Sequence, residues 1–227
     1  MGGTVMELSA ALCIRPGVTA IIGSGGKTTL MYALARELSR RARVIVCTTT
    51  HIFPPEHLPV LLAPSEAELR AALSASNPAC VSSGMEKGKL LPPELPFACL
   101  AAAADYVLTE ADGSHRLPAK AHAAHEPVIP QDANQTVCVF GLSALGRRIR
   151  ETAHRPELYA EKLGVSPDDF LTPELAAQLL TLEALHTRVF LNQADTPESE
   201  ALGRRMAALL PCPVCMGSLQ KGSVILC

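Results

Sequence analysis

The 227 residues carry 20 Lys+Arg against 22 Asp+Glu, a net charge of -2, so no global field favours nucleic acid or an anionic membrane. Hydrophobic residues make up 48% and aromatics only 4%, with no Trp; this predicts an aliphatic core, and no apolar run is long enough to span a bilayer. The start of the chain shows no secretory leader pattern, and eight cysteines without one predict reduced thiols in the cytoplasm.

In chain order, Val18–Ile22 is an apolar run that reads as a buried strand. Gly23–Gly26 follow as a glycine-rich turn, and Thr28–Arg40 reads as a helix. Its Leu30, Leu34 and Leu38 recur every four residues with Met31 and Ala35 beside them, which makes one apolar stripe. Arg36, Arg40, Arg41 and Arg43 are cations near the end of that helix, where they complement its dipole. Strands are expected at Arg43–Cys47, Pro59–Leu62, Ala79–Ser83, Tyr106–Thr109, Thr136–Phe140, Arg188–Leu191 and Val214–Gly217, with an edge strand at Val224–Cys227. Helices are expected from Ser65 to Leu73, opened by the capping signal Ser65–Glu68, and at Pro173–His186 and Glu198–Leu209.

Two stretches break this alternation. Asp112–Pro130 is a long polar loop, and loops of that length are functional or mobile. Gly141–Thr172 is charged and helical in pattern, so a small helical insertion is expected over about 141–186. The whole predicts one α/β domain over residues 1–227, a mostly parallel sheet with helices on both faces and right-handed crossovers.

The chemistry concentrates at Gly23-Ser24-Gly25-Gly26-Lys27-Thr28-Thr29. A strand, a glycine turn and a helix in that order let backbone N–H groups and a helix N-terminus converge on a phosphate. Lys27 is then placed to neutralise β- and γ-phosphates, and the Thr28 hydroxyl to ligate Mg²⁺. This makes the fold P-loop NTPase-like, with Mg²⁺ and ATP or GTP as its ligands. Ile21 stands where the common GxxxxGK[ST] loop has its first glycine. The shorter GxxGKTT form resembles the ATP loop of Mur ligases and folylpolyglutamate synthetases.

Glu110-Ala111-Asp112-Gly113 follows a strand, where a carboxylate can hold Mg²⁺ or order an attacking water. Glu110 matches the acidic position of the ExxG pattern of some metallochaperone GTPases, and Asp112 competes with it for the catalytic role. Thr48, Thr49, Thr50 and His51 follow the next strand; Thr49 and Thr50 are read as substrate contacts and His51 as a proton carrier. Asn192-Gln193-Ala194-Asp195 resembles the NKxD base-recognition element of GTPases, with Gln193 in place of Lys, and assigns Asn192 and Asp195 to the nucleotide. Arg116, Lys120 and His125 are read as substrate or phosphate contacts on a loop that closes over the site. His154–Glu157 is a second polar cluster that caps the same cleft or simply starts a helix. Cys212 and Cys215 have CxxC spacing, with Cys227 beyond them; packing and a metal or redox role both stay open.

Gly23–Thr29, Thr48–His51, Glu110–Ser114, His125–Pro130, Gly141–Gly146, His154–Glu157 and Asn192–Asp195 together resemble the YqeC family over nearly the whole chain. The resemblance implies an accessory protein of selenium-dependent molybdenum hydroxylases, acting in selenium cofactor biosynthesis, with the hydroxylase or its cofactor as partner. The reading that follows is an NTPase or phosphoryl-transfer maturation factor. Two others stand beside it: an ATP-dependent ligase or kinase acting on a small anionic acceptor, and a non-catalytic nucleotide-gated carrier or scaffold.

Overall fold

The computed structural model describes residues 6–226. Its strands are β1 (Gly17–Gly23), β2 (Val44–Thr48), β3 (Val60–Leu62), β4 (Ala79–Ser82), β5 (Met85–Glu86), β6 (Lys89–Leu90) and β7 (Tyr106–Glu110). These are followed by β8 (Ala119–Lys120), β9 (Ala133–Gly141), β10 (Ala153–His154), β11 (Arg188–Asn192), β12 (Val214–Ser218) and β13 (Ser223–Leu226). The helices are α1 (Leu8–Ala11), α2 (Lys27–Leu38), α3 (Glu66–Ala75), α4 (Phe97–Ala103), α5 (Ile149–Thr152), α6 (Pro156–Leu163), α7 (Pro173–Glu183) and α8 (Pro197–Ala207).

Nine strands form one sheet in the order β13-β12-β11-β9-β1-β7-β2-β4-β3. Every pair in it is parallel except β12–β13, where the last strand returns antiparallel to close the edge. The central strands are covered on both faces, which is why they read as continuous apolar runs instead of alternating ones. Along β1, Ile21 faces α1 and α2, while Ala20 and Ile22 face the layer that contains α7 and α8. Val18 on the same side meets α3 and α4. The α2 stripe is realised as expected: Leu30, Met31, Leu34, Ala35 and Leu38 are all fully buried. The Ser65 hydroxyl caps α3 and Glu68 returns to the Ser65 N–H, completing the capping box.

The differences from expectation have local causes. β9 starts at Ala133, ahead of the apolar run, because Asn134 and Gln135 are tied to the chain before β1. The Asn134 amide donates to the Pro16 carbonyl at 2.7 Å, and the Gln135 amide to the Leu12 carbonyl at 3.2 Å. The short helices α1 and α4 and the β5–β6 hairpin were not anticipated. The segment from Gly141 to Thr172 is helical in short pieces and also contributes β10. Its Ile149, Ala153, Tyr159 and Leu171 merge into the core shared by α7 and α8. Asp112–Pro130 is not a free lid: β8 pairs with β10, and Ala119, Lys120, Ala121 and His122 are buried. The two alanines are small enough to pack against the sheet layer, and Lys120 and His122, which alternate with them, find ionic partners inside. Cys227, expected in the edge strand, lies outside the described residues.

Candidate functional site

In a parallel sheet all C-terminal strand ends share one edge, and here six of the relevant motifs meet there. Gly23 ends β1, Thr48 ends β2, Glu110 ends β7, Gly141 ends β9, Asn192 ends β11 and Ser218 ends β12. From β1 the chain crosses to β2 on one side, and from β9 to β11 on the other, so the edge near β1 is a topological switch point. A cleft of about 720 Å³ opens there, with Gly25–Thr29 on one wall. That is within the range for a small-molecule site.

The loop is shaped for close approach. Gly25 has φ +83, and a Cβ there would stand 2.5 Å from the Gly141 nitrogen. Gly25→Ala is therefore expected to displace the loop and to destabilise the fold by about 1–3 kcal/mol in urea unfolding, through strain and backbone collision. The Gly23 N–H donates to Asp112 Oδ2 at 2.9 Å, and the Ser24 N–H to the Val139 carbonyl at 2.8 Å. The Ser24 hydroxyl donates to the Leu117 carbonyl. Gly23 and Ser24 thus anchor the loop instead of lining the cleft. The open amides are those of the first turn of α2, which have no intrahelical acceptor. α3, α7 and α8 are capped by the side chains of Ser65, Thr172 and Thr196, whereas α2 has Gly26 at its N-cap and no side-chain cap. An uncapped helix end that faces a cleft is a place for an anion.

Lys27 is 4% exposed and lies across the loop. Its Nζ donates to the Gly23 carbonyl at 2.8 Å and to Ser114 Oγ at 3.1 Å, and it stands 3.1 Å from Asp112 and 3.6 Å from Glu110. The Thr28 hydroxyl donates to Glu110 Oε2 at 2.6 Å. Two adjacent oxygens of an Mg²⁺ octahedron stand about 2.9 Å apart, given bonds of about 2.0–2.1 Å. The hydroxyl–carboxylate pair is a hard-oxygen donor set of nearly that span, so these residues fit Mg²⁺. Burial pushes the Glu110 carboxyl above the usual carboxylate range, against the pull of Lys27 and Thr28.

Asp112 behaves differently. It is fully buried, off the cleft wall, and surrounded by cations: Lys27 at 3.1 Å, Lys120 at 3.4 Å and His122 Nε2 at 2.7 Å. Burial acts to raise its carboxyl, but the His122 hydrogen bond and the charges of Lys27 and Lys120 outweigh it and leave it at about 2. His122 places its other nitrogen 2.6 Å from Glu183 Oε2, so both ring nitrogens face carboxylates and both donate, as in the imidazolium. Burial lowers His122, yet the bonds to Asp112 and Glu183 raise it overall. Lys162 adds a 2.6 Å contact to Glu183, and Lys120 a 2.9 Å contact to Glu126, which also pairs with Arg155. Burial brings the Lys120 ammonium down to about 8, against the attraction of Asp112. A chain of alternating charges therefore runs from Lys27 to α6 and α7. Of the two carboxylates weighed for catalysis, Glu110 reaches the cleft, and Asp112 positions Lys27 and the Gly23 amide.

The other expected site residues divide. Thr28, Thr29, Thr50, His51, Arg116 and Asp195 line the cleft. Thr49 turns away and donates to the Val128 carbonyl at 2.7 Å. Lys120 is sealed in the ion network with a side chain 0% exposed, and His125 is exposed off the cleft wall; neither reaches the substrate position expected for it. Asn192 borders the cleft, but its amide is committed: it donates to the Gly25 carbonyl at 2.7 Å and accepts from the Leu219 N–H at 3.2 Å. It holds the glycine-rich loop against the end of β12. Gln193 turns to the 3₁₀ turn after β9, accepting from Ser143 Oγ at 2.6 Å. His154 stacks on His115 at 4.6 Å. The sequence reading missed Ser114, the Lys27 partner, and Ser218–Gln220, which complete the wall beside Asp195. The signal for the latter was available, since they follow a strand at the same sheet edge as the motifs.

Cys13, Cys47, Cys80, Cys99, Cys138 and Cys212 are free thiols, and among the described residues no three His, Cys, Asp or Glu side chains gather as a metal group. No described helix is long and apolar enough to cross a membrane.

A family model for YqeC, described as YqeC protein, matches residues 19–157, more than half of the chain. The match includes the Gly23–Thr29 loop, Glu110, Asp112 and His122 and stops before β11. The chain is also 36% identical over 162 residues to the Escherichia coli (strain K12) protein YqeC, an alignment covering 68% of this chain and 63% of that protein. The chain thus spans less than two thirds of the length of this relative. The chain belongs to the YqeC family.

Proposed function

We propose that this protein binds a Mg²⁺–nucleoside triphosphate on a P-loop NTPase-like scaffold and hydrolyses it or transfers its γ-phosphoryl group. The observation that carries this reading is the uncapped N-terminus of α2 opening into the cleft, with Lys27 and Thr28 in its first turn. The α2 amides and Lys27 hold the β- and γ-phosphate oxygens. Thr28 and Glu110 hold Mg²⁺, which supplies charge neutralisation on the transferring group. Glu110, on the cleft wall and bonded to Thr28, also orients the attacking water or acceptor. Asp195 and Ser218–Gln220 face the nucleoside. The resemblance to the YqeC family extends the proposal to a place: maturation of selenium-dependent molybdenum hydroxylases in the cytoplasm.

The test is Mg²⁺-dependent phosphate release from ATP or GTP. Glu110→Gln keeps the shape of the side chain but removes its charge and basicity. It is expected to lower kcat about 10²–10⁴-fold while leaving the unfolding midpoint near that of the unsubstituted chain. Unchanged kcat would remove Glu110 from the chemistry.

A further inference from the structure

The cleft has a second wall that the phosphate loop and the nucleoside contacts leave unused. It is formed by Ile52 and Phe53 after β2, Lys89 on β6, and His115 and Arg116 after β7. Phe53 is 55% exposed, a large apolar ring held at the surface. Lys89 Nζ lies 5.1 Å from its centroid and Arg116 Cζ 5.7 Å from the same centroid. Each is within cation–π range, so one ring gathers two cations.

The placement is built in. An isolated backbone bridge joins Ile52 to Leu90, and Leu90 is 1% exposed. That bridge fixes Phe53 beside Lys89. On the other side, His115 and Arg116 have φ of 51 and 63, a left-handed conformation that costs energy for such residues. The stack of His115 on His154 and the Lys27–Ser114 hydrogen bond hold that strained turn in place.

What the two cations lack is a counter-charge. Among the described residues neither Lys89 nor Arg116 has a carboxylate within ion-pair distance; Glu86, opposite Lys89 in the hairpin, pairs with Lys87 at 3.9 Å. Elsewhere in this cleft region charge is matched almost one for one, as the Asp112 network shows. Two cations without a carboxylate partner, held on one ring at the wall of the cleft that Gly25–Thr29 also line, present positive charge to an anion entering it.

We propose that Lys89, Arg116 and Phe53 form a second anion subsite, which takes the phosphate or carboxylate group of a small acceptor molecule beside the nucleotide. The acceptor role rests on the nucleotide reading above; the anion site itself does not. An anionic acceptor places the protein among transferases or ligases and makes simple hydrolysis the side reaction.

Inorganic phosphate is the probe. With Mg²⁺ and a saturating non-hydrolysable nucleotide analogue present, the unsubstituted chain is expected to bind phosphate by calorimetry. The Lys89→Ala, Arg116→Ala double variant is expected to bind phosphate at least ~10-fold more weakly, from the loss of two charge-assisted contacts. Its affinity for the analogue is expected to stay within about twofold, because Lys89 is half-buried, Arg116 is exposed, and both are held on the Phe53 ring. Equal phosphate affinity in the two chains overturns the proposal. So does a parallel loss of analogue affinity, which would assign both cations to the nucleotide's own phosphates. A nucleotide-free arm separates this from failure of the nucleotide reading. Phosphate binding that survives in Lys27→Ala and vanishes when the double substitution is added supports the subsite; absence of binding in Lys27→Ala overturns it.

Discussion

Lys27→Ala is expected to lower kcat/KM for Mg²⁺-dependent nucleotide turnover about 10²–10³-fold, the usual cost of removing one preorganised donor aimed at developing charge. The ammonium is nearly inaccessible and is positioned by the Gly23 carbonyl, Ser114 and two carboxylates before any ligand arrives. Lys27→Arg is expected to restore little, since a planar guanidinium cannot occupy a point surrounded on so many sides. The fold should survive the alanine change, because Asp112 keeps Lys120 and His122 as partners. Turnover within a few-fold of the unsubstituted chain would mean that the chemistry happens elsewhere.

Asp112→Ala is expected to act on stability first, by about 3–5 kcal/mol in urea unfolding. Lys27, Lys120 and His122 then keep only Glu110, Glu126 and Glu183, of which the last two also serve Arg155 and Lys162, so the network is left with an excess of buried positive charge. The pH dependence has a definite sign. The Asp112 carboxyl is depressed from 3.8 to about 2, so its contribution is complete above about pH 4 and lost as pH falls through about 2. His122 is raised above 6.5, so its contribution is complete below that value and lost as pH climbs past its raised pKa. The difference between the two chains should therefore be largest between roughly pH 4 and 6.5 and shrink on the alkaline side. A difference that does not change from pH 5 to 9, a range that also takes in the Lys120 ammonium at about 8, would mean that neither His122 nor Lys120 is coupled to Asp112. The contrast with Glu110→Gln is diagnostic: one carboxylate carries turnover with little stability, the other stability before turnover.

That contrast was only half legible in the sequence. The strand–glycine turn–helix unit could be read because its parts are contiguous, and the α2 stripe repeats at fixed spacing. The mostly parallel sheet followed from unbroken apolar runs separated by helical patterns. Glu110 and Asp112 looked equivalent because both sit at the end of one strand. What separates them is a histidine ten residues on and a glutamate 61 residues beyond it, a pairing no local pattern encodes. For the same reason Lys120 read as a mobile substrate contact: its burial depends on β8 finding β10, more than thirty residues later. Phe53 and Lys89 were passed over because an exposed Phe in a Pro-rich turn and a hairpin Lys carry no signal singly. α4 left a faint trace, a Pro followed by an Ala-rich stretch, with Pro96 in fact at its N-cap.

The central claim is that the open end of α2 binds a Mg²⁺-nucleotide. Titration calorimetry of ATP and of GTP, each with and without Mg²⁺, into the unsubstituted chain and into Lys27→Ala tests it most directly. Saturable binding of at least one of the two at one per chain, weakened without Mg²⁺ and lost in Lys27→Ala, is the predicted result. No saturable heat with either nucleotide, or equal affinity in the Lys27→Ala chain, would contradict it.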